Sequence, residues 1–342
     1  MRRFLGTRTG RLVLVVPFVG ALVALAVWRG PEWHTVGSAF TRVRWEWVAA
    51  AVGINFVSVV FRSLAWKIVV DEALPQPHPR ARSVFAAFCV GLLANAALPG
   101  RVGEVARIAV LARRLRERAG TWATIAGSVL AHRMFDVVAS AALVIYVLYA
   151  ARIPDWASRA SGIVLGIGLG ILLVALAVAR RHHRPVSDEL GPVRRLVALA
   201  RRGLAVLHRP APAIIALAFQ LLGWTAQLFA VYTAFKAFRI EAPIPAAALV
   251  LVLMNVATVF PLWPGNFGLL QAAVALPLLR YGVGYAHGFA FGIGLQAIEA
   301  SVGVGLGLAF LTREGFSFAM LREIPEVNEA DLDEERSLKP VA

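Results

Sequence analysis

Six stretches of this chain are apolar over lengths that can span a bilayer, which limits the possible folds more than any other feature. They cover residues 11–28, 45–70, 121–150, 161–179, 212–235 and 285–311. A hydrocarbon core about 30 Å thick takes about 20 apolar residues of helix. Inside it the backbone must satisfy its own N–H and C=O groups, so each stretch is expected to be helical. The hydrophobic fraction is 59% and the charged fraction 16%, against about 45–50% and about 25% in soluble domains. The expected fold is therefore an all-α polytopic membrane protein, with one transmembrane domain over 1–312. Arg2 and Arg3 precede the first apolar run, but 12–28 lacks a clear small-residue cleavage site. It reads as a retained helix, not a signal peptide.

Two further apolar stretches are interrupted. Residues 83–98 end in "LPG" and 243–263 in "WPG", and each is followed by a shorter apolar segment, 102–112 and 267–279. Cytoplasmic loops carry the excess of Lys and Arg. Arg2, Arg3, Arg8 and Arg11 place the N-terminus inside, and Arg80 and Arg82 lie inside two crossings later. Arg113, Arg114, Arg116 and Arg118 are inside too, so 83–112 starts and ends on one face as a re-entrant hairpin. The basic loop 180–209 fits the cytoplasm, and the second hairpin, 243–280, enters from the other face. The expectation is about six crossings and two hairpins, arranged as an inverted repeat with halves over about 11–150 and 161–311. Pro99-Gly100-x-x-Gly103 and Pro264-Gly265-x-x-Gly268 echo one another at the two hairpin breaks. Interrupted segments at matching places in two halves point to a transporter's central site. The acidic tail, 313–342, reads as cytoplasmic and disordered, with no function assigned.

A broken backbone at membrane depth is tolerated where it is buried in protein or lines a wet cavity. The segment after the first break reads as a helix carrying Arg101, Glu104 and Arg107 three apart on one face, where they can pair. Arg101 at a helix N-terminus opposes the dipole and calls for another anionic partner, such as a phosphate. The alternative is a helix at the cytoplasmic interface with all three residues solvated. Arg133 and Asp136, also three apart, form an expected intramembrane pair; direct substrate contact and a purely structural pair are both open. His132 reads as an interfacial ring. Arg62 is deep enough to face a site, whereas Lys67 snorkels. Asn95 and Asn255 are placed to satisfy freed backbone groups. Glu299, deep in the last crossing, needs a partner, expected to be Arg133 or an arginine of the first hairpin. Gly303, Gly305 and Gly307 read as helix-packing positions.

The net charge of +15 sits beside the apolar spans, so it reads as a topology and headgroup signal and not as a nucleic-acid footprint. The single cysteine, Cys89, excludes an intramolecular disulfide. No nucleophile–base set, nucleotide fingerprint or metal-spaced cluster stands out, so no catalytic residue, cofactor or metal is expected.

Three segments carry a family resemblance. "NAALPGRVGEVARIAVLARR", "HRMFDVV" and "PLWPGNFGLLQAAVALPLL" resemble, in this order, signatures of the lysylphosphatidylglycerol synthase transmembrane region, also described as flippase-like. The resemblance implies roles for Pro99, Gly100, Arg101, Gly103, Glu104, Arg107, Arg133, Asp136, Pro264, Gly265 and Gly268. Where that family often has Glu, this chain has Gln271. In two-domain members the region precedes an aminoacyl transferase and is implicated in moving aminoacylated phospholipid between leaflets. The polar tail here is too short for that transferase, so lipid movement and not lipid synthesis is expected. The function expected is translocation of a phospholipid or lipid-linked glycan in a cell membrane, the arginines holding its anionic headgroup. The alternatives are a membrane-embedded transferase or accessory subunit, with Glu104 or Asp136 as base, and a scaffold for lipid enzymes. The expected partners are membrane lipids and a separate lipid-modifying enzyme.

Overall fold

The computed structural model describes residues 31–74, 78–98, 102–115, 121–180, 203–259 and 266–313. The first expected crossing, the basic loop from residue 181 to 202 and the tail from residue 314 lie outside these residues, as do Pro99, Gly100, Arg101, Pro264 and Gly265. The described residues form ten α-helices and two short 3₁₀ turns, with no strand. In chain order they are α1 (Trp33–Thr41), α2 (Trp45–Ala73), α3 (Ala81–Ala97), α4 (Gly103–Arg114) and α5 (Thr121–Ala150). Then follow α6 (Asp155–Arg180), α7 (Pro210–Ala237), α8 (Ile244–Val259), α9 (Leu269–Leu278) and α10 (Tyr285–Arg313).

Helix length separates two kinds of element. α2, α5, α7 and α10 are long and apolar enough to cross a membrane. At about 1.5 Å per residue each exceeds a hydrocarbon core about 30 Å thick. α3, α4, α8 and α9 have 17, 12, 16 and 10 residues, so each falls short of that thickness alone. They pack in consecutive pairs, α3 on α4 and α8 on α9. Each pair flanks one of the Pro-Gly breaks. Among the described residues the apolar segments read from the sequence thus become helices, and α6 contains the fourth expected crossing. α1 has no counterpart among the expected elements; it lays Val36 and the ring of Trp33 on α10, with Trp33 and Phe289 edge to face at 5.9 Å.

The longest interface joins α2 to α7, which run antiparallel. The backbone N–H of Arg44, before α2, donates to the Ala237 carbonyl at the end of α7. Midway, Ser58 Oγ donates to the Gly223 carbonyl at 2.7 Å. At the far end Arg209 pairs with Glu72 at 3.0 Å. Ser58 and Gly223 are 165 residues apart, the separation that also relates Pro99-Gly100-x-x-Gly103 to Pro264-Gly265-x-x-Gly268. The other contacts follow the same correspondence. α10 packs on α3 as α5 packs on α8, and α2 touches α10 as α7 touches α5.

Close backbone approach holds the first short pair together. Asn95 Oδ1 accepts from the Gly103 N–H at 2.8 Å, across the break. A Cβ on Gly103 would sit 2.1 Å from the Gly91 carbonyl oxygen. Packing of small residues is the means by which helices associate where lipid competes for apolar contact. In the second pair, Gly268 has φ +90° and its N–H donates to Gln271 Oε1 at 2.6 Å. Asn255 does not cap its break; its amide donates to the Leu251 carbonyl of its own helix.

Candidate functional site

The site starts at Asp136. It lies on the inward face of α5, with Ser128, His132 and Phe135. Four side chains reach its carboxylate. Arg133 Nη1 donates to Oδ2 at 3.0 Å, Arg62 Nη2 to Oδ1 at 3.3 Å and Trp224 Nε1 to Oδ1 at 3.1 Å. Gln220 Nε2 donates to Oδ1 as well. These donors come from three helices, so one carboxylate ties α5 to α2 and α7.

A chain of polar contacts spreads from this point. Arg133 Nη2 pairs with Glu104 on α4. Glu104 lies 2.5 Å from Arg107 Nη2, within ion-pair distance though not angled as a hydrogen bond. In the other direction, Arg62 Nη1 donates to Gln227 Oε1 at 3.3 Å, and Gln227 Nε2 donates to Glu299 Oε1 at 3.2 Å. The sequence Arg107, Glu104, Arg133, Asp136, Arg62, Gln227, Glu299 thus crosses five helices, α4, α5, α2, α7 and α10. Its three guanidinium groups and three carboxyl groups balance in formal charge, as a network inside a bilayer requires.

Arg107 is the most enclosed of the cations, 4% exposed. Its guanidinium stands 4.9 Å from the Trp66 ring centre and 5.8 Å from that of Phe88. Aromatic faces attract a desolvated cation. Its Nε has no hydrogen-bond partner, and neither has Nε of Arg62. His132 Nε2 faces the Arg62 carbonyl at 3.2 Å. A carbonyl only accepts, so Nε2 donates to it, while Nδ1 has no hydrogen-bond partner and lies 3.9 Å from Asp136 Oδ2. Arg62, Phe88, Arg107 and His132 line a cavity of about 40 Å³ with Asn95, Gly103, Glu104 and Arg133, space for about three waters.

The structure brings together six of the residues singled out from the sequence: Arg62, Glu104, Arg107, Arg133, Asp136 and Glu299. Arg101 lies outside the described residues. Two expectations are corrected. Glu299 takes Gln227 as its partner and not an arginine, because Arg62 is already turned to Asp136 and reaches Glu299 only through that amide. His132 is not an interfacial ring; it is 1% exposed, between Arg62 and Phe88. Lys67 is held by Asp71 one turn on. Gln220, Trp224 and Gln227 were missed. Their spacing of four and three puts all three on one face of an otherwise apolar helix, which is the signal that could have found them. Gln271, where the resembling family often has Glu, binds Gln296 Oε1 at 2.6 Å and forms no part of the chain from Arg107 to Glu299.

A family described as the lysylphosphatidylglycerol synthase TM region matches residues 11–307. No curated protein and no solved structure matches the chain. The matched residues include both Pro-Gly motifs, the whole charged network and the long apolar helices up to residue 307 of α10. The chain belongs to the lysylphosphatidylglycerol synthase TM region family, as a multi-pass membrane protein related to membrane lipids.

Proposed function

We propose that this protein is a lipid translocase that takes an anionic phospholipid or lipid-linked headgroup through the Arg107–Asp136 network while the acyl chains stay in lipid. The observation that carries this reading is Arg107, buried between two aromatic rings with an unpaired N–H on a polar cavity. A buried guanidinium N–H without an acceptor is costly, and a phosphate oxygen satisfies it. Arg62 and Arg133 supply further donors at the same cavity. Glu104 and Asp136 hold the arginines in place and balance them when the site is empty. The cavity as it stands admits water and not a whole headgroup, which fits a closed step of a cycle. The helices are two inverted halves in a cell membrane, with six crossings, both termini cytoplasmic and the hairpins α3–α4 and α8–α9 entering from opposite faces. Rocking of one half against the other alternates access. The transferase alternative fits less well, because Glu104 and Asp136, its two candidate bases, are each engaged by two arginines.

Binding tests the reading. Delipidated protein, titrated with a short-chain anionic phospholipid and with its uncharged diacylglycerol counterpart, is expected to bind the first. Arg107→Gln keeps the bulk and removes the charge, and should weaken that binding by at least about 10-fold, the loss of one charge-assisted hydrogen bond at about 1.5–3 kcal/mol. Equal affinity for both lipids, unchanged in the variant, counts against the proposal.

A further inference from the structure

The network is built twice, and Arg62 stands between the two copies. Arg62 and Gln227 are 165 residues apart, like Ser58 and Gly223. Both pairs touch across the antiparallel α2–α7 interface, so each residue meets its own counterpart near the axis relating the two halves. Asn55 and Gln220 keep the same separation, the first donating to a backbone carbonyl and the second to a carboxylate. Asn55 Nδ2 reaches the Glu299 carbonyl on α10 at 3.4 Å, and Gln220 reaches Asp136 on α5. The acids, 163 residues apart, stand two positions out of that register, and each is bonded by the axis residue of its own half. Arg62 of α2 bonds Asp136 of α5, and Gln227 of α7 bonds Glu299 of α10. Each acid lies three residues after a polar partner, in Arg133-x-x-Asp136 and Gln296-x-x-Glu299. The two copies differ in charge. The first has an arginine where the second has Gln227.

An inverted repeat gives this difference a consequence. Its second state is reached when the two halves exchange conformations. Both axis contacts, Arg62–Asp136 at 3.3 Å and Gln227–Glu299 at 3.2 Å, are made in this structure, so what an exchange can move between the acids is the charge. One cation at the axis can serve both acids in turn. The Gln227 amide already joins them, its oxygen on Arg62 and its NH₂ on Glu299. We propose that Arg62 is the moving cation of the cycle, leaving Asp136 for Glu299 as the halves exchange, and that Glu299 is a positioning residue whose task is to receive it. Asp136, vacated, is then held by Arg133, Gln220 and Trp224, while Arg107 and Arg133 remain with the headgroup. This rests on the translocation reading for its purpose, but the switch itself can be measured without lipid movement.

The test exchanges the two counterparts. Reporter cysteines replace Leu98, at the first break, and Val259, at the second, in a Cys89→Ala background. Their reaction with a membrane-impermeant maleimide from either side of a proteoliposome reads which side is open. Glu299→Gln keeps the bond to Gln227 and removes the acceptor charge. It is expected to lower Val259→Cys labelling and raise Leu98→Cys labelling, each by about 3-fold or more, and Asp136→Asn is expected to do the reverse. Arg62→Gln should abolish both biases, and adding Gln227→Arg should restore a cation at the axis with the labelling pattern inverted. The proposal is overturned if Glu299→Gln and Asp136→Asn shift the reporters in the same direction or not at all. It is also overturned if a well-folded Arg62→Gln/Gln227→Arg protein labels like Arg62→Gln alone. Should the double variant not fold, the single Glu299→Gln and Asp136→Asn labelling decides. Opposite reporter shifts without lipid transport in the wild type would leave the switch standing and remove the translocation reading.

Discussion

Arg62 is held by three groups at once: Asp136, Gln227 and the ring of Trp224, 5.6 Å from its guanidinium carbon. Its aliphatic stem passes so close to Gly223 that a Cβ there would lie 2.5 Å from Arg62 Cγ. Gly223→Ala should therefore push the guanidinium off Asp136. Overpacking of this kind costs about 1–3 kcal/mol, visible as a lower unfolding temperature in detergent. A variant as stable as wild type would show that the stem has another path. The sequence made the local part of this site readable. Arg133 and Asp136 are three apart on one helix, and so are Glu104 and Arg107, so periodicity alone pairs them. It left Arg62 as a secondary candidate and assigned Glu299 the wrong partner. Arg62 meets groups 74 and 165 residues away, and no spacing rule reaches that far.

Among the elements, the short helices show how the apolar pattern was legible and the packing was not. Their lengths follow from the Pro-Gly breaks on one side and, for α9, from Pro277 and from Gly282 at φ +79° on the other. Which face meets which neighbour depends on the fold. Gly303, Gly305 and Gly307 look alike in the sequence, yet α10 turns only two of them to α3. A Cβ on Gly307 would stand 2.5 Å from Leu93 Cβ and 2.9 Å from the Cys89 carbonyl oxygen, whereas nothing lies within 4 Å of one on Gly305. Gly307→Leu should separate α10 from α3 at a cost of about 1–3 kcal/mol or more, and Gly305→Leu should be close to neutral. Thermal unfolding of the two proteins in the same detergent measures the contrast. Equal losses would mean that α10 packs with a different face.

At the scale of the whole molecule, α2 and α7 form the antiparallel spine, and the two short-helix pairs lie on either side of it. The helical, multi-pass character was readable from the apolar runs, and the 165-residue echo from one short repeated motif, because both are one-dimensional signals. The site itself is assembled from both halves, five of its network residues from α2, α4 and α5 of the first, and Gln227 and Glu299 from α7 and α10 of the second. That assembly places Arg107 at one end of a charged path and Glu299 at the other. In the proposed function a phosphate headgroup travels by way of this path. The direct measurement is the crossing of a fluorescent anionic phospholipid between leaflets of proteoliposomes, read by an impermeant quencher, for wild type and for Arg107→Gln at equal protein density. The account predicts that wild-type vesicles lose more than the outer-leaflet half of the signal and that the variant loses it at least about 10-fold more slowly, the equivalent of about 1.4 kcal/mol on the barrier. Identical quenching by both proteins, or no crossing beyond protein-free vesicles with the wild type, would contradict it.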